Sequence, residues 1–218
     1  MPLATIEVET AAKPGASIII LHGLGADGYD FVPVAEELDL SAIGAVRFIF
    51  PHSPTRPVTL NGGYVMPAWY DILGPGQPED EAGLRASQAL VEALIAKEVA
   101  RGVAASRIVL AGFSQGCAMT LITGLRLRER LAGLACLSGY LPLAALTASE
   151  RNVAHTDLPI FMAHGRSDGM IPIARAMASR DALAQLGYPV EWHDYPMQHS
   201  VCPQEIVDLN RWLLKVLA

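Results

Sequence analysis

The sequence is short of cysteine, of basic charge and of long apolar runs, and each shortage excludes something. Its three cysteines, Cys117, Cys136 and Cys202, are odd in number, lack metal-ligand spacing and lie in apolar or helical contexts. Neither a disulfide framework nor a cysteine metal site is expected of them, and packed thiols in a reducing cytoplasm are the simpler account. Lys and Arg total 16 against 22 Asp and Glu, for a net charge of −6. No basic face is left to hold a polyanion, which argues against nucleic acid as a partner. No apolar run approaches the roughly 18 residues that a membrane-spanning helix needs. Residues 1–13 contain acidic side chains and no basic start followed by an apolar core, so no signal peptide is read there, and a cytoplasmic location is expected. Internal repeats and low-complexity segments are absent as well.

What is present is core material. Of 218 residues, 51% are hydrophobic, with no break in composition that would mark a linker. One domain over residues 1–218 is the expectation. Residues 3–8 alternate loosely, as an edge strand does. The run Ser17-Ile-Ile-Ile-Leu-His22 is β-branched and opens into the glycine-rich loop Gly23–Gly28. Further strands are read at 46–50, 107–111, 133–138, 159–163 and 190–195. Helices are read at 31–38, 81–101, from Gln115 to about Arg130, at 174–186 and at 204–217. Residues 52–78, rich in Pro and Gly, read as one long loop of functional length. Short apolar strands alternating with amphipathic helices give an α/β fold, with a mostly parallel sheet covered on both faces. Ligands bind such sheets at the C-terminal ends of the strands.

Strand 107–111 runs into Gly112-Phe113-Ser114-Gln115-Gly116 and then into a helix. Strand, sharp turn and helix are the parts of a nucleophile elbow, which would place Ser114 at the apex. A serine hydroxyl is a poor nucleophile unless a base takes its proton and a carboxylate orients the base. In this architecture the chain order is Ser, then Asp or Glu, then His. Asp168 follows strand 159–163 and His199 follows strand 190–195, so both fall at the edge where Ser114 lies. Asp157 precedes its strand and lies at the wrong edge; His193 and Asp194 lie within or at the end of one, and His155 reads as a surface-loop residue. His22 and His164 each precede a Gly at a strand end, where donation to a loop carbonyl is the usual role, and no metal is expected. A negative oxygen forming on an attacked acyl group would need two backbone N–H groups. Those of Gln115, at a helix N-terminus, and of Leu24, in the His22–Gly25 loop, are the candidates.

These residues carry a resemblance. The sequences Leu21-His22-Gly23-Leu24-Gly25, Trp69-Tyr70-Asp71, Gly112-Phe113-Ser114-Gln115-Gly116, His164-Gly165-x-x-Asp168 and His199-Ser200 are similar to those of the carboxylesterase/acyl-protein thioesterase (lysophospholipase-like) family of α/β-hydrolases. The resemblance spans residues 17–217. It implies an α/β-hydrolase fold without a large cap domain and a catalytic set of Ser114, Asp168 and His199. It further implies an oxyanion hole from Leu24 and Gln115, no cofactor, and hydrolysis of carboxylic esters, with thioesters or lysophospholipids taken by some members. Cys117 stands where many relatives have Gly, and Gly169 where many have Pro. The expected substrates are small ester or lipid-like molecules or an acylated protein. Residues 60–76 are the expected wall of a pocket for short-to-medium acyl chains, with Met66, Val65, Trp69 and Leu73 as substrate-binding residues. Trp69 is equally apt for a core anchor, and Asp71 reads as a structural carboxylate. The exposed apolar character of this loop also fits a homodimer or a membrane-surface substrate. A non-catalytic scaffold of the same fold that binds a small ligand is the competing reading, and an intact Ser, Asp, His order counts against it.

Overall fold

The computed structural model describes residues 2–74 and 76–218. In chain order the elements are β1 (Thr5–Glu9), β2 (Ala16–Leu21), α1 (Val32–Glu36), β3 (Val46–Pro51), β4 (Thr55–Val58), β5 (Tyr64–Pro67), α2 (Glu81–Ala100), β6 (Ile108–Phe113), α3 (Gln115–Gly124), β7 (Gly133–Leu137), α4 (Ala144–Glu150), β8 (Ile160–Gly165), α5 (Ile173–Gln185), β9 (Val190–Tyr195) and α6 (Pro203–Val216). Seven strands form one sheet in the order β1-β3-β2-β6-β7-β8-β9. β1 runs antiparallel to β3, and every other neighbouring pair is parallel.

The unbroken apolar runs have a simple cause, since their strands are buried on both sides. Ile18 and Ile20 of β2 face one core, with Phe48, Phe50, Val109 and the α6 residues Leu209 and Trp212. Ile19 and Leu21 face the other, against Leu84, Val91, Leu94 and Ile95 of α2 and Met119 and Ile122 of α3. Each such side chain, wholly withdrawn from water, stabilises the fold by about 1.5–3 kcal/mol before the cost of ordering it. Among the described residues no helix is long and apolar enough to cross a membrane.

Three elements differ from the expectation. The stretch 52–78 is not loop throughout: β4 and β5 pair as an antiparallel hairpin. Asp71 fastens the turn that joins them, its carboxylate accepting from the Thr59 amide at 2.7 Å and from the Thr59 hydroxyl. The helix after Ser114 stops at Gly124 instead of near Arg130, because the carbonyls needed to prolong it are engaged elsewhere. The Asn152 amide donates to Leu125 O at 2.8 Å, and the Asn152 side chain donates to Leu127 O at 3.2 Å. Helix α4 comes unannounced in a stretch whose apolar spacing is too short to read.

Candidate active site

Ser114 stands between β6 and α3 with φ 56° and ψ −115°. A non-glycine residue held there is strained, and a surrounding structure must hold it in place. A Cβ on Gly112 would run into the Gly116 carbonyl, and one on Gly116 would run into the carbonyls of Leu21 and His22. Both glycines are therefore required by close backbone approach. The Ser114 amide donates to Leu137 O at 2.9 Å, which ties the turn to the end of β7.

The structure brings Ser114, His199 and Asp168 together. His199 Nε2 lies 3.0 Å from Ser114 Oγ, and His199 Nδ1 lies 2.7 Å from Asp168 Oδ2. Asp168 is buried, which on its own pushes its carboxyl up. The amides of Ile171 and Met170, both 2.8 Å from Oδ1, and the His199 contact outweigh burial and hold the carboxyl below its ordinary value. It is a carboxylate at neutral pH. Two features that sequence reasoning missed fix the histidine. The Phe113 ring packs on its imidazole with centroids 4.7 Å apart, and Gly165 lets the Asp168 loop lie against the carbonyls of Met197 and Gln198. His164 Nε2 sits 2.8 Å from Ile171 O, the loop-carbonyl contact expected of it, and 3.3 Å from Asp168 Oδ2. His22 does the same at the other loop: Nδ1 bonds to Gly23 O at 2.7 Å while Nε2 accepts from the Ser53 amide at 3.0 Å. Burial lowers the pKa of His22, so its ring is neutral. Of the remaining candidates, Asp157 pairs with Arg130, Asp194 with Arg166, and His193 with Glu191.

Leu24 and Gln115 border the same cavity as Ser114. The Gln115 amide begins α3 and is among those a helix leaves without an internal acceptor. Its side chain is buried, with Oε1 accepting from the Trp69 amide at 3.0 Å and Nε2 donating to Tyr70 O at 2.9 Å. Trp69 completes the frame, its indole N–H donating to His22 O at 2.9 Å. Three corrections to the expected pocket follow. Trp69 is wholly buried, with its indole turned into the core, and borders no part of the cavity. Val65 projects to solvent from β5, and Leu73 lines a neighbouring cavity instead. Met66 does border the cavity of about 520 Å³, alongside Leu60, Ile72, Tyr70, Tyr140 and Arg175. Tyr70 and Tyr140 lie in loops on the catalytic edge and Arg175 in the first turn of α5, positions that could have flagged them. A larger cavity of about 700 Å³ lies at the opposite edge of the sheet near Arg130, Glu191, Trp212 and Lys215, far from Ser114. Among the described residues no cluster of three His, Cys, Asp or Glu side chains is placed to hold a metal ion.

The model of the phospholipase/carboxylesterase family matches residues 3–217. The chain belongs to this family. It is an α/β-hydrolase and a serine hydrolase of acyl esters. Acyl-protein thioesterase 1 of Yarrowia lipolytica is 39% identical over 219 residues, covering 97% of this chain and 96% of that protein. Among solved structures, SOBER1 of Arabidopsis thaliana is 30% identical with a TM-score of 0.87, covering 93% of this chain and 99% of that one. Acyl-protein thioesterase 2 of Zea mays is 28% identical with a TM-score of 0.88, covering 99% of each chain.

Proposed function

We propose that the chain, working as one domain, hydrolyses carboxylic esters and thioesters of short-to-medium acyl chains through an acyl-enzyme on Ser114. The observation that carries this reading is the continuous run from Ser114 Oγ to His199 Nε2 at 3.0 Å and from His199 Nδ1 to Asp168 Oδ2 at 2.7 Å. His199 Nδ1 donates to the carboxylate, which leaves Nε2 free to accept the serine proton as Oγ attacks the acyl carbon. The protonated imidazole then gives that proton to the leaving alcohol or thiol. Water, deprotonated by the same nitrogen, attacks the acyl-enzyme and releases the acid. Asp168 stays ionised and steadies the imidazolium. The amides of Leu24 and Gln115 hold the oxyanion at each tetrahedral stage. The apolar side of the cavity, with Met66, Leu60 and Ile72, receives the acyl chain.

An acylated protein, a lysophospholipid or a small lipid-like ester fits a cavity that opens beside exposed Leu60, Tyr64, Val65 and Met170. The names of the thioesterase relatives favour the first. Three free cysteines suit a reducing, cytoplasmic setting. The test is hydrolysis of p-nitrophenyl esters of rising chain length by the wild type and by Ser114→Ala. A fall in kcat of about 10⁴-fold or more is expected at every chain length. Turnover that survives the substitution would remove Ser114 from the mechanism, and an inert wild type that still binds esters would favour the scaffold reading.

A further inference from the structure

The catalytic cavity does not end in apolar side chains. Next to it lies a second cavity of about 260 Å³, and the two share Tyr70, Ile72, Tyr140 and Arg175 as lining residues. Three of these four are fastened to one another. The Tyr70 and Tyr140 hydroxyls are 3.0 Å apart and hydrogen-bonded. The Arg175 guanidinium lies over the Tyr140 ring, 3.3 Å from its centroid, and its Nη2 is 3.1 Å from Glu79 Oε1. Glu79 Oε2 in turn accepts from the Leu143 amide at 2.7 Å, which fixes the far end of the chain of contacts. Burial pushes both phenols above their ordinary pKa, so the pair remains a neutral donor and acceptor.

We infer that Tyr70, Tyr140 and Arg175 form a partition that closes the acyl site and sets the longest chain the enzyme accepts. Tyr70 and Tyr140 are buried and stand next to the catalytic elements: the Tyr70 carbonyl accepts from the Gln115 side chain, and Tyr140 follows Gly139, where a Cβ would press on the Ser114 carbonyl. A chain anchored on Ser114 that extends past Ile72 meets two phenol rings crossed by a cation. Entering the second cavity would require breaking the tyrosine hydrogen bond and lifting the guanidinium from the ring. An alkyl chain repays neither loss, because it offers no hydrogen bond and no π face. The cavity beyond is bordered by Asp71, Leu73, Pro78 and Asp80 among the described residues.

The inference rests on Ser114 as the nucleophile and on this cavity as the acyl site, and the experiment separates the two. kcat/KM is measured for p-nitrophenyl esters from butanoate to dodecanoate with the wild type, Tyr140→Ala, Tyr70→Phe and Arg175→Ala. The readout is the ratio of long-chain to short-chain kcat/KM within each protein. Tyr140→Ala should move the optimum to longer chains, raising that ratio by about fourfold for each methylene that gains burial in the second cavity. Arg175→Ala, at a half-exposed position, should shift it in the same direction by less. Tyr70→Phe keeps the ring and removes only the hydrogen bond, and should give the smallest rise. Thermal melts establish that each variant is folded; should Tyr140→Ala unfold, the other two carry the test. An unchanged profile in folded variants, with Ser114→Ala inactive, overturns the partition alone. Turnover by Ser114→Ala overturns the site reading instead.

Discussion

Trp69 shows how one side chain can serve the site without touching the cavity. Its amide holds the Gln115 side chain, its indole N–H holds the His22 carbonyl, and its own carbonyl accepts from Ser87 Oγ. The loop that carries Leu24 and the start of α3 that carries Gln115 are therefore spaced by one buried residue. Trp69→Phe keeps the two backbone contacts but orphans the His22 carbonyl and leaves a gap where the larger ring was. A loss of about 2–3 kcal/mol in urea unfolding is expected. Under the proposed oxyanion role of the Leu24 and Gln115 amides, kcat should fall by about tenfold with KM little changed, because a displaced N–H pair weakens the transition state more than the bound ester. A destabilised enzyme with wild-type kcat would make Trp69 a core anchor and nothing more. Trp-Tyr-Asp as a sequence leaves this open: the segment lies outside any regular element, so no periodicity tells which of the three side chains turns inward.

At the scale of elements, strands and helices are legible because burial on two faces or on one stripe imposes a period, whereas their ends and the hairpin depend on contacts distant in sequence. Asn152 ends α3 and Asp71 closes the β4–β5 hairpin, and neither partner is adjacent to what it fixes. Helix α2 holds an instructive case. Its stripe of Leu84, Val91, Leu94 and Ile95 continues at helical spacing to Glu98, a carboxylate that is 1% exposed. A charge in an apolar stripe signals a buried partner, and Glu98 Oε2 is met at 2.7 Å by Arg47 Nη1 from β3 and by Ser17 Oγ from β2. The contact locks the helix across two strands at the edge of the sheet. Glu98→Ala leaves the Arg47 charge in a nearly closed site with Glu9 at 2.8 Å as its remaining close partner. About 3 kcal/mol of stability should be lost, read as a lower denaturation midpoint, while kcat on a short ester stays at its wild-type value because Ser114 lies at the other end of the strands. A matching loss of kcat would mean that the two ends of the sheet are coupled.

For the molecule as a whole, a parallel sheet gathers the loops after its strands at one edge. That is why the meeting of Ser114, Asp168 and His199 is legible from order and position alone, while the cavity walls, set by how loops from distant segments pack, are not. The same packing buries a carboxyl that the proposed chemistry does not use. Glu205, in the first turn of α6, is wholly buried, and its two oxygens have no well-formed hydrogen-bond partner among the described residues. Burial pushes its pKa up to about 8, against a weak pull from the Cys202 amide. In the unfolded chain the carboxyl ionises near its ordinary 4.5, so between these two values the folded state binds a proton that the unfolded state has lost. Stability linked to Glu205 is therefore complete below about pH 4.5 and declines as pH rises toward about 8. One proton sets the limiting slope at about 1.4 kcal/mol per pH unit. Glu205→Gln keeps the shape and removes the titration. The difference in unfolding free energy between the two proteins, measured from pH 5 to 8 so that the titrations they share cancel, should shift steadily in favour of the variant as pH rises. Parallel curves over that range would mean that Glu205 reaches solvent or a cation when ionised, and that α6 moves to let it do so.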